Sequence, residues 1–120
     1  MYKKIHTECL DNLIPLRDTL DVINGKWKLQ IIISLWAGNT RFREIERSIP
    51  RITTKVLAKE LKDLEEHQLV KRTVYDDVPV RVEYTLLDYT QTLIPVIEAL
   101  IEWGKNHREK MFTQKNTKEI

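Results

Sequence analysis

The sequence predicts a mainly α-helical fold that carries one small β-hairpin. Apolar residues recur at helical spacing over most of the chain, whereas residues 69–86 are rich in β-branched and aromatic side chains. The chain has 120 residues, 42% of them hydrophobic, which suffices for one modest core. Because no linker or internal repeat divides it, we expect a single domain over residues 1–112, followed by a polar, disordered tail over residues 113–120.

Charge and cysteine content narrow the class of protein. The net charge is only +2, which is too small to indicate a nucleic-acid partner by itself. The one cysteine, Cys9, cannot form an internal disulfide and is typical of a reducing compartment. The N-terminus lacks the apolar core of a signal peptide, and no run of about 18 apolar residues exists to span a membrane. We therefore expect a cytoplasmic protein without a membrane segment.

Two helices are expected in the first third of the chain. The first begins near Pro15 and ends at Asn24-Gly25, where a left-handed backbone is tolerated. Its predicted buried stripe consists of Leu13, Leu16, Leu20 and Ile23. The second helix runs from Lys26 to about Ala37. Its apolar residues cover nearly the whole circumference, which predicts a central, buried helix.

A short helix, a tight turn and a longer amphipathic helix are predicted over residues 42–67. The short helix, about Phe42 to Ser48, cannot easily pass Pro50, because a residue before proline avoids helical geometry. Thr53 can cap the longer helix with its hydroxyl. That helix repeats leucine at positions 57, 61 and 64, and its other side is polar and basic. This order of elements is typical of a helix-turn-helix.

The segment of residues 69–86 is expected to form a β-hairpin, because two runs rich in β-branched residues flank the polar tip Asp76-Asp77-Val78-Pro79. If Val74 pairs with Val82, one face of the hairpin packs on the core. That face consists of Val70, Val74, Val82, Tyr84 and Leu86, together with the stem of Arg72. A hairpin that follows a helix-turn-helix is a wing, so the predicted fold is a winged helix-turn-helix.

The last predicted helix runs from about Tyr89 to Lys110, with Asp88 as its cap. Pro95 in its interior should bend it. The apolar band of this helix is wider than one contact with the core requires. The surplus predicts a second copy of the chain as a partner, and hence a homodimer. The residues that we expect at this interface are Leu93, Ile94, Ile97, Leu100, Ile101 and Trp103.

Several fragments, in this order and at these spacings, resemble one family. They are Asn24-Gly25-Lys26-Trp27-Lys28, Arg41-Phe42-Arg43-Glu44-Ile45, Leu57 to Val70, Arg72-Thr73-Val74-Tyr75, Val78 to Leu86, Leu93-Ile94-Pro95-Val96-Ile97 and Glu102-Trp103-Gly104. From Pro15 to about His107 the chain thus resembles HxlR-type winged helix-turn-helix transcriptional regulators, which are relatives of the MarR group. The resemblance implies a homodimer that binds operator DNA. It also implies that the first and last helices build the dimer, which adds Leu13 to the interface.

The pair Ile14-Pro15 departs from the family pattern. Many members carry Cys-Pro ahead of the first helix, and in some of them that cysteine senses oxidants or electrophiles. Here Cys9 lies upstream of the matching pair, and no clear basic cluster that would favour its thiolate surrounds it in sequence. A redox-responsive regulator that senses through Cys9 stays open as an alternative.

The longer helix of the helix-turn-helix is the expected reader of double-stranded DNA. From Arg41 to Arg72 the chain has nine Lys or Arg against six Asp or Glu, and the acids gather late in the helix. A helix fits the major groove, and residues near its N-terminus reach base edges first. The predicted base readers are Thr54, Lys55, Ala58 and Lys59. The predicted phosphate contacts are Arg43, Arg51, Lys62 and the helix N-terminus beside Thr53.

The wing adds one candidate, Arg81, which could enter the minor groove beside the hairpin tip. Asp76 and Asp77 oppose this contact, because carboxylates repel phosphate. The basic helix face could also be an ordinary solvated surface. A further alternative is a winged helix that binds protein instead of DNA.

Catalytic and metal-binding functions find no support in the residue pattern. The chain has only three glycines, with neither a Gly-rich phosphate loop nor a Gly-x-Ser-x-Gly motif, so an enzyme is not expected. His6 and Cys9 offer two metal ligands where a structural zinc site needs four. Neither a metal nor another cofactor is therefore predicted, and no motif indicates an effector.

Overall fold

The computed structural model describes residues 11–119, with side chains described as far as residue 114. The helices are α1 (Leu13–Val22), α2 (Lys28–Trp36), α3 (Phe42–Ser48), α4 (Thr54–Glu66), a 3-10 helix (Asp88–Leu93) and α5 (Ile94–Glu119), and the strands are β1 (Val70–Tyr75) and β2 (Arg81–Leu86). The predicted fold class, mainly α-helical with a β-hairpin wing, is confirmed. The chain divides into two compact units, with the boundary between Leu87 and Asp88.

Helix α2 lies at the centre of the first unit, where it contacts α3, α4 and β2. Its residues Ile31 and Ile32 are fully buried, as expected of a central helix. The burial is incomplete, however, because Trp36 is 57% exposed at the end of the helix. Apolar residues around the whole circumference indicate that every side of a helix could be buried. The neighbouring elements decide which of these sides are covered.

Helix α1 carries the apolar stripe that the sequence predicts, but the stripe is not buried. Leu13, Leu16 and Leu20 are 49%, 53% and 53% exposed, and only Ile23, just after the helix, is buried. The predicted burial of these leucines is therefore wrong. Helical periodicity identifies the apolar side of a helix, whereas its burial requires a second surface that the periodicity does not supply.

The predicted helix-turn-helix is confirmed over α3 and α4. Helix α3 begins and ends at the expected residues, and its Ile45 is fully buried. In the turn, Arg51 adopts a left-handed backbone with φ of +70°, which is uncommon for a residue other than glycine. Thr53 caps α4, since its Oγ1 accepts a hydrogen bond from the Val56 N–H at 3.2 Å.

The wing has the register on which its expected core face was based, with Val74 opposite Val82 and Val70 opposite Leu86. Val70, at the end of the hairpin next to α4, is 2% exposed, and Val82, Tyr84 and Leu86 on β2 are half-buried. Val74 is 53% exposed, so its predicted place on the core is wrong. The alternation of a strand determines which residues share a face, but a hairpin that extends beyond the body leaves the outer part of that face in water.

The second unit consists of the 3-10 helix and α5. Pro95 is the second residue of α5, so it does not interrupt the helix, and the predicted bend at this position is wrong. A proline in the first turn displaces no backbone hydrogen bond, because the N–H groups there have no helical acceptor. None of the described helices, α5 included, combines the length and apolar character that crossing a membrane requires.

The C-terminal end of α5 also differs from the expectation. Helical backbone continues to Glu119, past the predicted end near Lys110 and through most of the segment expected to be disordered. Residues 113–119 contain neither glycine nor proline, and their Gln, Lys and Glu residues favour helix. Polar composition alone therefore does not stop a helix that is already formed.

Candidate nucleic-acid interface

Helix α4 has one buried side and one polar, exposed side. Leu57, Leu61 and Leu64 are at most 1% exposed, which anchors the helix to the core. The opposite side exposes the residues expected to meet DNA, Thr54, Lys55, Ala58, Lys59 and Lys62. The two-sided character predicted from the leucine spacing is thus present, and no described element of the first unit covers the lysine side.

Lys28 on α2 holds α4 in place through ion pairs with its acidic residues. This role was not predicted from the sequence. Its Nζ lies 2.6 Å from Glu60 Oε2 and 3.6 Å from Asp63 Oδ2, and it donates to Asn24 Oδ1 at 3.3 Å. The residue is only 4% exposed. Because this buried cation pairs with acids of α4, their charges are directed inward, away from the exposed lysines. The sequence did contain a signal for this ion pair: a lysine within an apolar helix, and two acids beside the leucine stripe of α4.

Glu46 on α3 links the two helices of the helix-turn-helix. Its Oε2 accepts a hydrogen bond from the Thr54 hydroxyl, and its Oε1 accepts one from Arg43 Nη1 at 2.9 Å. The Thr54 hydrogen bond, followed by that from Arg43, holds the pKa of the Glu46 carboxyl below its ordinary value. Two residues predicted to contact DNA are therefore joined by a carboxylate that the sequence analysis did not single out.

Helix α3 adds two further basic residues, Arg41 at its N-cap and Arg47 in its last turn. Arg41 and Arg47 lie with Arg43 around an open groove between α3 and β2, and both are exposed. Glu44 accepts from the backbone N–H groups of Arg41 and Thr40 at 3.0 and 3.1 Å. These hydrogen bonds, that of Arg41 first, lower the pKa of the Glu44 carboxyl. Glu44 is thus engaged with the backbone, while the arginines extend the basic surface beyond the predicted set.

Arg81 is held within the wing. Its Nε lies 3.0 Å from Asp77 Oδ2, and its Nη1 donates to Glu83 Oε1 at 3.1 Å. Its guanidinium also lies 4.1 Å from the centre of the Tyr75 ring. The carboxylate that was expected to repel DNA is therefore paired with the arginine that was expected to attract it. This arrangement favours a structural role for Arg81 over insertion into a groove.

The expected interface residues fall into two groups. Ile94 and Ile97 are 7% and 3% exposed and offer little surface to a second chain. The exposed group consists of Leu13, Leu100, Ile101 and Trp103, and Leu93 is partly exposed. Cys9 and His6, which carried the redox and metal hypotheses, lie outside the described residues.

Comparisons with known proteins agree with this geometry. The family model described as HxlR-like helix-turn-helix matches residues 22–112. A helix-turn-helix-type transcriptional regulator from Methanothermobacter thermautotrophicus is 46% identical over 100 residues, which cover 81% of this chain and 76% of the relative. Another, from Halalkalibacterium halodurans, is 48% identical over 91 residues, covering 75% of this chain and 80% of the relative.

Solved structures give the same result. The redox regulator HypR in its reduced form matches with a TM-score of 0.76 and 39% identity, over 82% of this chain and 98% of that chain. The relatives are named as transcriptional regulators of the helix-turn-helix type. The chain therefore belongs to the HxlR-like helix-turn-helix family.

Proposed function

We propose that the protein is a sequence-specific regulator of transcription that binds double-stranded DNA as a homodimer on an inverted-repeat operator. The observation that carries the proposal is the exposed, lysine-bearing side of α4 opposite three buried leucines. A helix presented in this way fits the major groove, which displays a distinct pattern of donors and acceptors for each base pair. Membership of a family of transcriptional regulators supports the same function.

Within this proposal the residues of the helix-turn-helix have separate roles. Lys55 and Lys59 reach base edges, together with Thr54 and Ala58, because they lie in the first half of α4. Lys62 and Arg51 contact phosphates, which positions the protein without reading sequence. Three exposed arginines extend the phosphate contacts toward the wing: Arg41 at the N-cap of α3, and Arg43 and Arg47 within the helix. Arg81 instead maintains the shape of the wing through its acidic partners.

The dimer is supported by the apolar surface that the chain leaves exposed. Leu13 on α1, and Leu100, Ile101 and Trp103 on α5, are between 43% and 67% exposed. Exposed apolar side chains on two helices are typical of an interface between subunits. A two-fold dimer would place its two α4 helices in successive major grooves, about 34–36 Å apart, and would therefore bind an inverted repeat.

Footprinting on the DNA upstream of the gene tests the proposal. We expect protection of two half-sites one helical turn apart. Affinity should fall steeply with salt, with a slope of about −0.9 per phosphate neutralised. A protein-binding module, the rival function, would show no duplex binding even at low salt, and that outcome would reject DNA regulation.

A redox-responsive regulator is a second candidate, favoured by the similarity to a structure named as a redox regulator. Cys9 is the one cysteine of the chain, so oxidation would act through it. The test adds an oxidant such as diamide to the wild type and to Cys9→Ser and compares their operator affinities. Equal responses of the two proteins would exclude sensing through this thiol.

A further inference from the structure

The carboxylate of Glu46 determines how the Thr54 hydroxyl can bond. The Glu46 side chain is 19% exposed, and its two oxygens accept from different donors, Oε1 from Arg43 and Oε2 from Thr54. An ionised carboxylate can only accept hydrogen bonds. The hydrogen of the Thr54 hydroxyl must therefore point toward Glu46, and the lone pairs of Thr54 Oγ1 remain for other partners.

Thr54 is the first residue of α4 and is exposed. Under the proposed function it lies where a recognition helix first reaches base edges. A hydroxyl that can only accept pairs with the amino group of adenine or cytosine in the major groove. It cannot donate to O6 or N7 of guanine or to O4 of thymine, because its hydrogen is already used.

We propose that Glu46 is a specificity-determining positioning residue, which fixes Thr54 as a hydrogen-bond acceptor and thereby selects adenine or cytosine at one position of each half-site. This inference rests on the proposed function. Glu46 itself does not touch DNA; it acts through the orientation of its neighbour. Arg43, whose side chain is 71% exposed, is oriented by the same carboxylate and still reaches a phosphate.

The experiment selects bound sequences from a library of random DNA duplexes with the wild type, Glu46→Gln and Glu66→Gln. We expect the wild type to prefer adenine or cytosine at one position by roughly three- to tenfold, the discrimination of a single hydrogen bond. Glu46→Gln should lose that preference and retain those at the other positions, because an amide can donate to Thr54 and release its hydrogen. Glu66→Gln removes the same charge at the far end of α4 and should leave all preferences unchanged.

Thr54→Val provides a second, independent variant, since it keeps the shape and the methyl group but lacks the hydroxyl. It should lose the same preference, and adding Glu46→Gln to it should change nothing further. Unchanged preferences in Glu46→Gln or in Thr54→Val would overturn the inference while leaving the proposed function intact. A uniform loss of affinity for all sequences in folded Glu46→Gln would also overturn it, because a merely structural role predicts that result. A wild type that enriches no sequence would overturn the proposed function, and the inference with it.

Discussion

At the scale of single residues, left-handed backbone conformations end two of the helices. Gly38, with φ of +106°, follows α2, and Gln68, with φ of +59°, follows α4. After α4 the N–H of Gln68 donates to the carbonyl of Glu65, and that of Leu69 donates to the carbonyl of Leu64, both at 3.0 Å. This pattern satisfies the last carbonyls of a helix and favours glycine at the left-handed position. Gln68 occupies that position without being a glycine.

Exchanging the two residue types tests this difference. Gln68→Gly should stabilise the protein by up to about 1 kcal/mol, because it relieves the left-handed strain of a side chain. Gly38→Ala should destabilise it by about 1 kcal/mol through strain alone, since no atom lies within 4 Å of the added Cβ. Chemical unfolding measures both free energies. Shifts of the same sign in the two variants would contradict the argument.

The exposed lysines of α4 provide the residue-scale test of DNA recognition. Lys55→Ala and Lys59→Ala should each weaken operator binding by about tenfold, because each removes a charged contact to a base edge or its phosphate. Their free energy of unfolding should not change, since neither side chain is buried. Lys110→Ala on α5 is the control for the loss of one positive charge. Operator affinity equal to that of the wild type in both α4 variants would refute the assignment of the recognition helix.

At the scale of the element, α4 is positioned by two kinds of contact. The leucines press one side of the helix into the core, and the Lys28 ion pair with Glu60 joins it to α2. Leucine packing alone permits a helix to slide or rotate slightly, because the hydrophobic effect is not directional. A buried charge pair with hydrogen-bond geometry is directional, so it can set the rotation at which the lysines face outward.

Replacement of Lys28 by methionine tests the role of this pair. Lys28→Met should destabilise the protein by about 3 kcal/mol, since it leaves Glu60 without its cation in a site of low exposure. The double variant Lys28→Met with Glu60→Leu should recover part of this loss, because the more buried carboxylate of the pair is removed and only the partly exposed Asp63 loses its cation. Urea unfolding measures both. If the losses in free energy of unfolding from Lys28→Met and from Glu60→Leu simply added in the double variant, the two residues would not be coupled.

At the scale of the whole molecule, the proposed dimer would bury apolar residues that are exposed in a single chain. Ile97 and Ile101 on α5 differ sharply, at 3% and 43% exposed. The sequence pattern placed both at the interface between subunits. Their exposure instead places the first in the interior of the chain and leaves the second available to the proposed interface.

Two aspartate substitutions separate these roles. Ile101→Asp should produce a folded monomer with weak operator binding, because a dimer interface would have to bury the new charge. Ile97→Asp should instead destabilise the fold itself, because the new charge would be buried in the interior of the chain. Sedimentation gives the association state, and circular dichroism gives the folded fraction. A fully dimeric Ile101→Asp protein would remove this residue from the interface.

The local features of the fold could be predicted from the sequence. Pro50 and the Thr53 cap predicted where α3 ends and α4 begins, and the polar tip between two β-branched runs predicted the hairpin turn. These predictions succeed because caps, turns and periodicities involve residues within about four positions of each other, whose geometry the backbone imposes. The leucine stripe of α4 predicted its buried side for the same reason.

Which surfaces these elements contact could not be predicted from the sequence. Lys28 and Glu60 lie 32 positions apart in sequence, and no local pattern shows that their side chains meet. The exposure of the α1 leucines and of Val74 likewise depends on which surfaces come to cover them. The pairing of Glu46 with Thr54 across the turn also arises only once α3 and α4 pack. Long-range contacts depend on how whole surfaces fit together. A sequence can therefore predict an apolar or charged face of an element without identifying the surface that packs against it.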